Sequence, residues 1–190
     1  MYKTTKILQT KHNHEVDLSI LRAMCYHAAR LYNVGLYSVR QHFFNTDTYL
    51  AYNSNYHECK NNENFKLLLS DCGQQILRLV DRDMQSFFRL LILKKSNKYS
   101  EKIHLPHYKK QEATMVCPIQ GRSCRIQKDG TVAIGLTKEF REKYNITVAS
   151  SDGMIQQITR GLDCSVISSR ELDEKIKNVV EEFRNAYNLN

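Results

Sequence analysis

The stretch that decides the fold runs from Asp71 to Lys95 and reads DCGQQILRLVDRDMQSFFRLLILKK. Its apolar residues recur at the spacing of one helical face: Ile76, Val80, Met84, Phe87 and Leu91. Its long polar residues fall on the other side: Arg78, Arg82, Arg89, Gln74, Gln75 and Gln85. Such a pattern is typical of a helix that buries one face and exposes the other. The stretch therefore predicts an amphipathic helix with a basic outer face.

The basic face of this helix has two interpretations. Solvated helix faces usually mix both signs of charge, whereas here only Asp81 and Asp83 interrupt the arginines. A continuous basic face favours contact with nucleic-acid phosphates, and an ordinary solvated surface is the alternative. The predicted nucleic-acid contacts on this helix are Arg78, Arg82, Arg89, Gln74 and Gln75.

A second helical pattern covers Val16 to about Phe44, with a break at Gly35 as an alternative. Its apolar face is formed by Leu21, Cys25, Ala28, Tyr32, Leu36, Val39 and Phe43. Arg22, Arg30 and Arg40 fall roughly together on another face. We predict that these three arginines also bind nucleic acid, and packing between helices is the alternative role. A shorter helix is predicted around Tyr49 to Cys59.

Basic and aromatic residues alternate in the loop after the Asp71–Lys95 helix, SNKYSEKIHLPHYKK. Cations interleaved with rings can follow a phosphate backbone and stack on bases. Lys109 and Lys110 are the predicted phosphate contacts of this loop. Tyr108 either stacks on a base or packs under the loop.

Strand patterns mark both ends of the helical region. Tyr2 to Gln9 favours a short strand. After residue 112 we predict strands, a hairpin turn, a helical turn and a final helix. The predicted strands are Ala113–Pro118, Arg122–Gln127, Thr131–Leu136, Asn145–Ala149 and Met154–Thr159. The turn is Lys128-Asp129-Gly130, the helical turn is Lys138–Tyr144, and the last helix spans Ser169–Tyr187 behind a capping box at Ser168–Glu171.

The composition favours a polyanionic partner. The chain has 190 residues, with 28 Lys and Arg against 20 Asp and Glu, for a formal charge of +8. An apolar fraction of 42% can supply a core. No apolar run is long enough for a membrane span and the start is polar, so an intracellular, cytoplasmic protein is expected.

Metal and disulfide chemistry are not predicted. The six cysteines form no Cys-x-x-Cys pair and are interpreted as reduced, mostly core thiols. His12 with His14, and His104 with His107, lack further ligands nearby in the sequence. Catalysis by these groups is not expected.

Four segments, in this order, resemble landmarks of TnpB proteins, the RNA-guided nucleases encoded by many bacterial insertion sequences. Ala28-Ala-Arg-Leu-Tyr-Asn-Val-Gly-Leu36 resembles their first helix. Gln74-Gln-Ile-Leu-Arg-Leu-Val-Asp81, with Phe87-Phe88, resembles the next. Leu105-Pro106-His-Tyr108-Lys109-Lys110 and the stretch Ile126 to Ile134 resemble the element and the hairpin that follow.

The resemblance implies a small antiparallel wedge-type β-barrel with a helical lobe inserted after its first strand. Residues 1–12 and 112–160 would form the barrel, residues 13–111 the recognition lobe, and residues 161–190 a C-terminal segment with an amphipathic helix. It also implies a guide RNA from the transposon end and target DNA as partners, gripped through backbone shape and charge.

The nuclease of that family is not recognisable in this sequence. Its three separated carboxylates would hold a divalent cation, and the nearest string, Gly161-Leu162-Asp163, lies too close to the end of the chain. The resemblance therefore implies a nucleic-acid-binding module that is not an enzyme alone and holds no cofactor itself. One alternative is a shortened relative without the nuclease that acts as a DNA-binding repressor or accessory subunit. Another is a structural module that self-associates through its last helix.

Overall fold

A computed structural model describes residues 15–126, 132–149, 165–167 and 169–186. The chain divides into two compact units, an N-terminal unit, Met1–Ile134, and a C-terminal unit, Gly135–Asn190. Within the described residues no helix is long and apolar enough to cross a membrane.

Four helices form the body of the N-terminal unit: α1 Glu15–Thr46, α2 Tyr52–Cys59, α3 Glu63–Leu67 and α4 Ser70–Lys95. The two predicted long helices are thus confirmed, each with ends within a few residues of the expected ones. Helix α1 packs on the other three, and α4 also contacts α2 and α3. The core lies between them because the apolar stripes of α1 and α4 face each other. Its fully buried side chains include Leu31, Tyr32, Leu36, Val39, Ile76, Leu77, Val80 and Met84.

Gly35 allows α1 and α4 to approach closely. It does not break α1, which is one continuous helix of 32 residues. A Cβ atom at this position would lie 2.6 Å from Cδ2 of Leu77 and 3.5 Å from Cγ2 of Val80. Both side chains are fully buried, so they have little room to move away. The glycine is therefore a packing requirement of the helix crossing, and the alternative of a break is wrong.

An extended segment follows α4 and lies along α1. Ala113–Pro118 was predicted as a strand, but no ladder forms there. Instead the amide of Met115 donates to the carbonyl of Cys25 on α1, 3.1 Å away. We call residues 103–120 the strap.

Two short strands close the N-terminal unit. After a 3-10 turn at Gly121–Ser123, β1 (Cys124–Ile126) pairs antiparallel with β2 (Val132–Ile134). The register joins Arg125 to Ala133. The antiparallel pairing agrees with the predicted strands, while the turn Lys128-Asp129-Gly130 lies outside the described residues.

The C-terminal unit is of the α/β type. It contains α5 (Lys138–Lys143), β3 (Thr147–Ala149), β4 (Ser165–Ile167) and α6 (Ser169–Ala186). Strands β3 and β4 pair in parallel, with Val148 opposite Val166. Parallel neighbours need a crossover connection, and all-parallel sheets occur almost only in α/β proteins. The predictions of a helical turn at Lys138 and of a final helix are confirmed.

The predicted wedge β-barrel is wrong. The described residues are mostly helical, and their strands form one two-stranded antiparallel pair and one two-stranded parallel pair, with neither sheet closed. The prediction failed because short segments rich in Val, Ile and Thr do not reveal whether their partners run parallel or antiparallel. The division of the chain at residues 12, 111 and 160 stays a prediction.

Several predicted features lie outside the described residues. They are the strand Tyr2–Gln9, the histidines His12 and His14, the strand Met154–Thr159, the string Gly161-Leu162-Asp163, and the residues Cys164, Ser168 and Tyr187.

Replacing Gly35 with Leu is expected to lower the free energy of unfolding by at least about 2 kcal/mol, because overpacking a filled core forces backbone shifts. Gly121→Leu is the matched control, since a Cβ atom at Gly121 would meet nothing within 4 Å. Urea denaturation of both variants measures the difference. Equal stability of the two variants would contradict the close helix crossing.

Candidate nucleic-acid interface

The acidic residues of α4 serve the fold. The side chain of Asp81 accepts hydrogen bonds from the Tyr49 hydroxyl and, at 3.0 Å, from the Tyr52 amide at the start of α2. Asp83 accepts a hydrogen bond of 2.8 Å from the Tyr32 hydroxyl. The two carboxylates that interrupt the basic face are therefore both engaged by tyrosines.

The two tyrosine hydroxyls stay protonated well into the alkaline range. Burial raises the pKa of Tyr32 above its usual range, and its hydrogen bond to Asp83 adds to the effect. The pKa of Tyr49 is raised in the same way by burial and by Asp81. Each hydroxyl therefore remains the donor that its carboxylate needs.

The three predicted arginines of α4 are all exposed. The guanidinium of Arg78 lies over the Tyr52 ring, with Cζ 4.3 Å from the ring centroid. Arg82 is 73% exposed, and its Nε lies 3.8 Å from a carboxylate oxygen of Asp83. Gln74 is hydrogen-bonded to Ser70 and Gln75 is half-buried. A nucleic-acid role for these five residues stays a prediction, and their geometry leaves the arginines accessible.

The strap is fastened to α1 by side chains of that helix. Asn33 makes two hydrogen bonds with the backbone of Lys109: its Oδ1 accepts from the Lys109 amide at 2.7 Å and its Nδ2 donates to the Lys109 carbonyl at 2.8 Å. Arg30 donates to the carbonyl of Lys110. The strap is thus held to α1 at two successive residues.

Cations and rings stack where the strap meets α1. Cζ of Arg40 lies 4.9 Å from the ring centroid of Tyr108 and 5.8 Å from that of Phe44. The Lys109 ammonium lies 4.8 Å from the centroid of the Tyr32 ring. Tyr108 is 42% exposed, which leaves part of its ring accessible, and its predicted stacking on a base stays a prediction. Arg40 stacks on the rings of Tyr108 and Phe44 and forms no ion pair with any residue that the structure describes.

The structure brings five of the predicted residues together: Arg30, Arg40, Tyr108, Lys109 and Lys110. Arg22 is exposed on the same helix but is not part of the strap contacts described above. Sequence reasoning missed three aromatic residues and one asparagine of this surface: Tyr26, Tyr37, Phe44 and Asn33. Their spacing with Arg30 and Arg40 marks one helical face, which could have been recognised, because 26, 30, 33, 37, 40 and 44 follow the helical period.

A buried carboxylate fixes the start of α4. Asp71 is 4% exposed and accepts hydrogen bonds from the Ser123 hydroxyl at 2.8 Å and the Cys72 amide at 2.9 Å. Nε of Arg122 lies 3.4 Å from the same carboxylate. Burial by itself raises the pKa of Asp71, but these hydrogen bonds and the Arg122 charge outweigh it, so the pKa lies below its ordinary value. Asp71 therefore joins the segment before β1 to α4.

The described thiols differ in burial, and their reduced state stays a prediction. The described cysteines in the N-terminal unit are free, and Cys59 and Cys72 are buried. Burial raises the pKa of Cys59 to about 11, so that thiol is unreactive at neutral pH. Within the described residues no group of three or more His, Cys, Asp or Glu is placed to hold a metal ion. The predicted absence of a metal site in the whole chain stays a prediction.

The parallel strand pair defines an edge in the C-terminal unit. Because β3 and β4 run in the same direction, their carboxyl ends meet at one edge. Glu171 lies in the first turn of α6, just after β4, and is exposed. Asp152 follows the end of β3 by three residues in the sequence and lies outside the described residues. In open α/β sheets this edge is where ligands bind.

The comparison with protein families found a match in the last third of the chain. A protein-family model described as the YacP-like NYN domain matches residues 131–190, about a third of the chain. The matched segment nearly coincides with the C-terminal unit, which starts at Gly135. No curated protein and no solved structure is similar to the chain.

The family match corrects three predictions. The matching family model is the YacP-like NYN domain, a PIN-like ribonuclease fold, and not a TnpB or type V effector family, so the resemblance to those proteins is wrong. The predicted function is therefore also wrong: the chain is not supported as a wedge module of an RNA-guided, transposon-associated protein. The repressor and self-association alternatives are wrong as well. The expectation of a chain that is not an enzyme is also overturned, because NYN domains are PIN-like ribonucleases.

The Asp71 network generates a pH-dependent prediction. The pKa of Asp71 is lower in the folded state than in the unfolded state, where an aspartate has a pKa of about 3.9. Its ionised carboxylate therefore stabilises the fold at pH values above about 3.9, and this stability is lost as the pH falls through the folded-state pKa. Asp71→Asn should therefore be less stable than the parent by about 1 to 3 kcal/mol near neutral pH. The difference should shrink below about pH 4. Urea titrations at both pH values test this, and a difference that grows on acidification would contradict it.

The α4 arginines generate a binding prediction. Changing Arg78, Arg82 and Arg89 to Gln should weaken binding to single-stranded RNA and lower the slope of log affinity on log salt by about 2, since each phosphate contact contributes about 0.7. The triple Lys variant, which keeps the charge, should retain the slope. Fluorescence anisotropy over a range of salt concentrations measures both. A Gln variant with the parent's slope would show that the α4 face is only solvated surface.

Proposed function

We propose that this chain acts on RNA as a ribonuclease whose C-terminal unit carries the hydrolytic chemistry. The observation that carries the proposal is the family match over residues 131–190, which nearly coincides with a compact unit of the structure. NYN domains are PIN-like ribonucleases. The parallel pair of β3 and β4 followed by α6 supports the proposal, because α/β units of this kind bind ligands at the carboxyl ends of their strands.

Carboxylates are the groups that this chemistry needs. Phosphodiester hydrolysis uses a carboxylate as general base or as a ligand of a divalent cation. Glu171 follows β4 and Asp152 follows β3 in the chain, so both come after strands whose carboxyl ends share an edge. We assign the two residues to the proposed catalytic site. The described residues alone hold no complete metal site.

The N-terminal unit supplies the basic surfaces of the proposed enzyme. Arg78, Arg82 and Arg89 on α4 are exposed, and Arg30 and Arg40 flank the strap on α1. The net charge of +8 supports a polyanionic substrate. RNA is the proposed substrate, and DNA is an arm of the test.

We place the proposed activity in the cytoplasm. The described cysteines are free, and thiols stay reduced in that compartment. RNA substrates are available there. Fractionation of cells that express a tagged chain would check the location.

The purified chain is expected to cleave labelled single-stranded RNA in a buffer with Mg²⁺ or Mn²⁺. Asp152→Asn and Glu171→Gln should each lower the rate at least about 100-fold, because a carboxylate in general acid–base catalysis contributes about that much or more. Gel electrophoresis of the products measures the rate, with single-stranded DNA of the same sequence for comparison.

Glu181→Gln is the matched control, since Glu181 is exposed on α6 ten residues beyond Glu171. It should cleave like the parent, and all three variants should keep the parent's melting temperature. If RNA is left intact, or if neither catalytic variant differs from Glu181→Gln, the ribonuclease proposal fails.

A further inference from the structure

We propose that the exposed face of α1 beside the strap is a stacking platform for the bases of single-stranded RNA. This inference rests on the proposed function in naming RNA, but it concerns a binding surface of the N-terminal unit only. The platform consists of the α1 residues Tyr26, Arg30, Tyr37, Arg40 and Phe44, and the strap residues Tyr108, Lys109 and Lys110.

The α1 residues of the platform form one stripe. They follow one another at intervals of three, four or seven residues, and the position between Arg30 and Tyr37 is taken by Asn33, which fastens the strap. From Tyr26 to Phe44 the stripe is about 27 Å long, at a rise of 1.5 Å per residue. That length is enough for several nucleotides of an extended strand.

Exposed aromatic side chains are concentrated on this surface. Among the described tyrosines and phenylalanines five are at least 36% exposed, and four of them belong to the platform: Tyr26, Tyr37, Phe44 and Tyr108. Tyr37 is 58% and Phe44 is 55% exposed. Burial of such rings is favourable, so their clustering on one face indicates a surface that a partner covers.

The cations of the platform are not paired with any carboxylate that the structure describes. No ion pair joins Arg30, Arg40, Lys109 or Lys110 to an acidic residue in the part of the chain that the structure describes. Glu58 lines a neighbouring groove with Tyr37 and is bound by the Ser38 hydroxyl. The surface is therefore positive as well as aromatic.

Arg40 is half-buried and stacks on two rings. Its guanidinium lies against the rings of Phe44 and Tyr108, and its Nε is buried without a hydrogen-bond partner among the described residues, so the terminal N–H groups are the ones left to reach a ligand. A stacked guanidinium is held in one plane while its N–H groups remain able to bind phosphate. Arg40 is thus placed to contact a backbone whose bases stack on the adjacent rings.

This combination fits a single strand better than a duplex. In a duplex the base faces are stacked on each other, whereas the bases of a single strand are free to stack on aromatic side chains and arginine planes. The α4 face differs, because its arginines lie with glutamines and the half-buried Tyr52 is the ring in contact with Arg78. We therefore assign base stacking to α1.

The test is anisotropy of a labelled single-stranded RNA with the full chain in EDTA, so that no cleavage occurs. The triple variant Tyr37→Ala, Phe44→Ala and Tyr108→Ala should bind at least about tenfold more weakly, because each stacked base contributes a factor of about five or more. Its slope of log affinity on log salt should stay at the parent's value, since no cation is removed. Lys110→Gln should instead lower the slope by about 0.7.

Two controls make the result specific. Ile92→Ala removes an apolar side chain that is 68% exposed on α4 and should bind RNA like the parent. Arg40→Lys keeps the charge but loses the planar stack, so it should weaken binding without changing the slope. Melting temperatures show whether each variant is folded.

Unchanged RNA affinity of a folded triple ring variant would overturn the platform. Two other results would overturn it as well. In the first, the ring variant loses binding to phosphatidylserine vesicles but retains RNA binding, which would identify a membrane surface. In the second, the ring variant loses affinity equally for duplex and single-stranded RNA. Binding that depends on the rings without any cleavage by the parent chain would refute the ribonuclease proposal and leave the platform standing.

Discussion

The close crossing of α1 and α4 at Gly35 is the constraint on which the N-terminal unit depends. Without a side chain at Gly35, Leu77 and Val80 of α4 reach the backbone of α1. That approach also brings Tyr32 to within hydrogen-bond distance of Asp83. With the buried side of α1 fixed in this way, its opposite face is left for the strap. The surface proposed to bind RNA therefore follows from how the core is packed.

The helices could be predicted from the sequence because their signal is local. The apolar residues of α1 and α4 repeat at the helical period, and burial of those stripes is the main stabilising force of such helices. The roles of single polar residues depend on the partner that folding brings near. Asp81 was interpreted as an interruption of a basic face, but it binds the amide of Tyr52 at the start of α2. No pattern within α4 contains that information.

The same reasoning explains why the family resemblance misled. The tyrosine and asparagine of α1 bind Asp83 and the strap, and Asp81 of α4 holds the start of α2. These are demands of packing two helices and a strap, so unrelated chains can share the residues. Strands β1, β2 and β3 lie within predicted strands, whereas β4 (Ser165–Ile167) was not predicted. The parallel pairing of β3 with β4 joins residues that are 18 positions apart in the sequence. The alternation of apolar and polar residues along a strand does not distinguish a parallel pair from the antiparallel strands of a barrel.

The central claim assigns binding to the N-terminal unit and chemistry to the C-terminal unit. Single-turnover cleavage of a labelled single-stranded RNA, measured over a range of protein concentrations, separates the two roles. The variant without the rings of Tyr37, Phe44 and Tyr108 should need more protein for half-maximal rate and should reach the parent's maximal rate. Asp152→Asn should bind RNA with the parent's half-saturation in a binding assay. Its maximal cleavage rate should be at least about 100-fold lower than the parent's. Cleavage that responds to neither change, or a ring variant with a reduced maximal rate and unchanged half-saturation, would contradict the account.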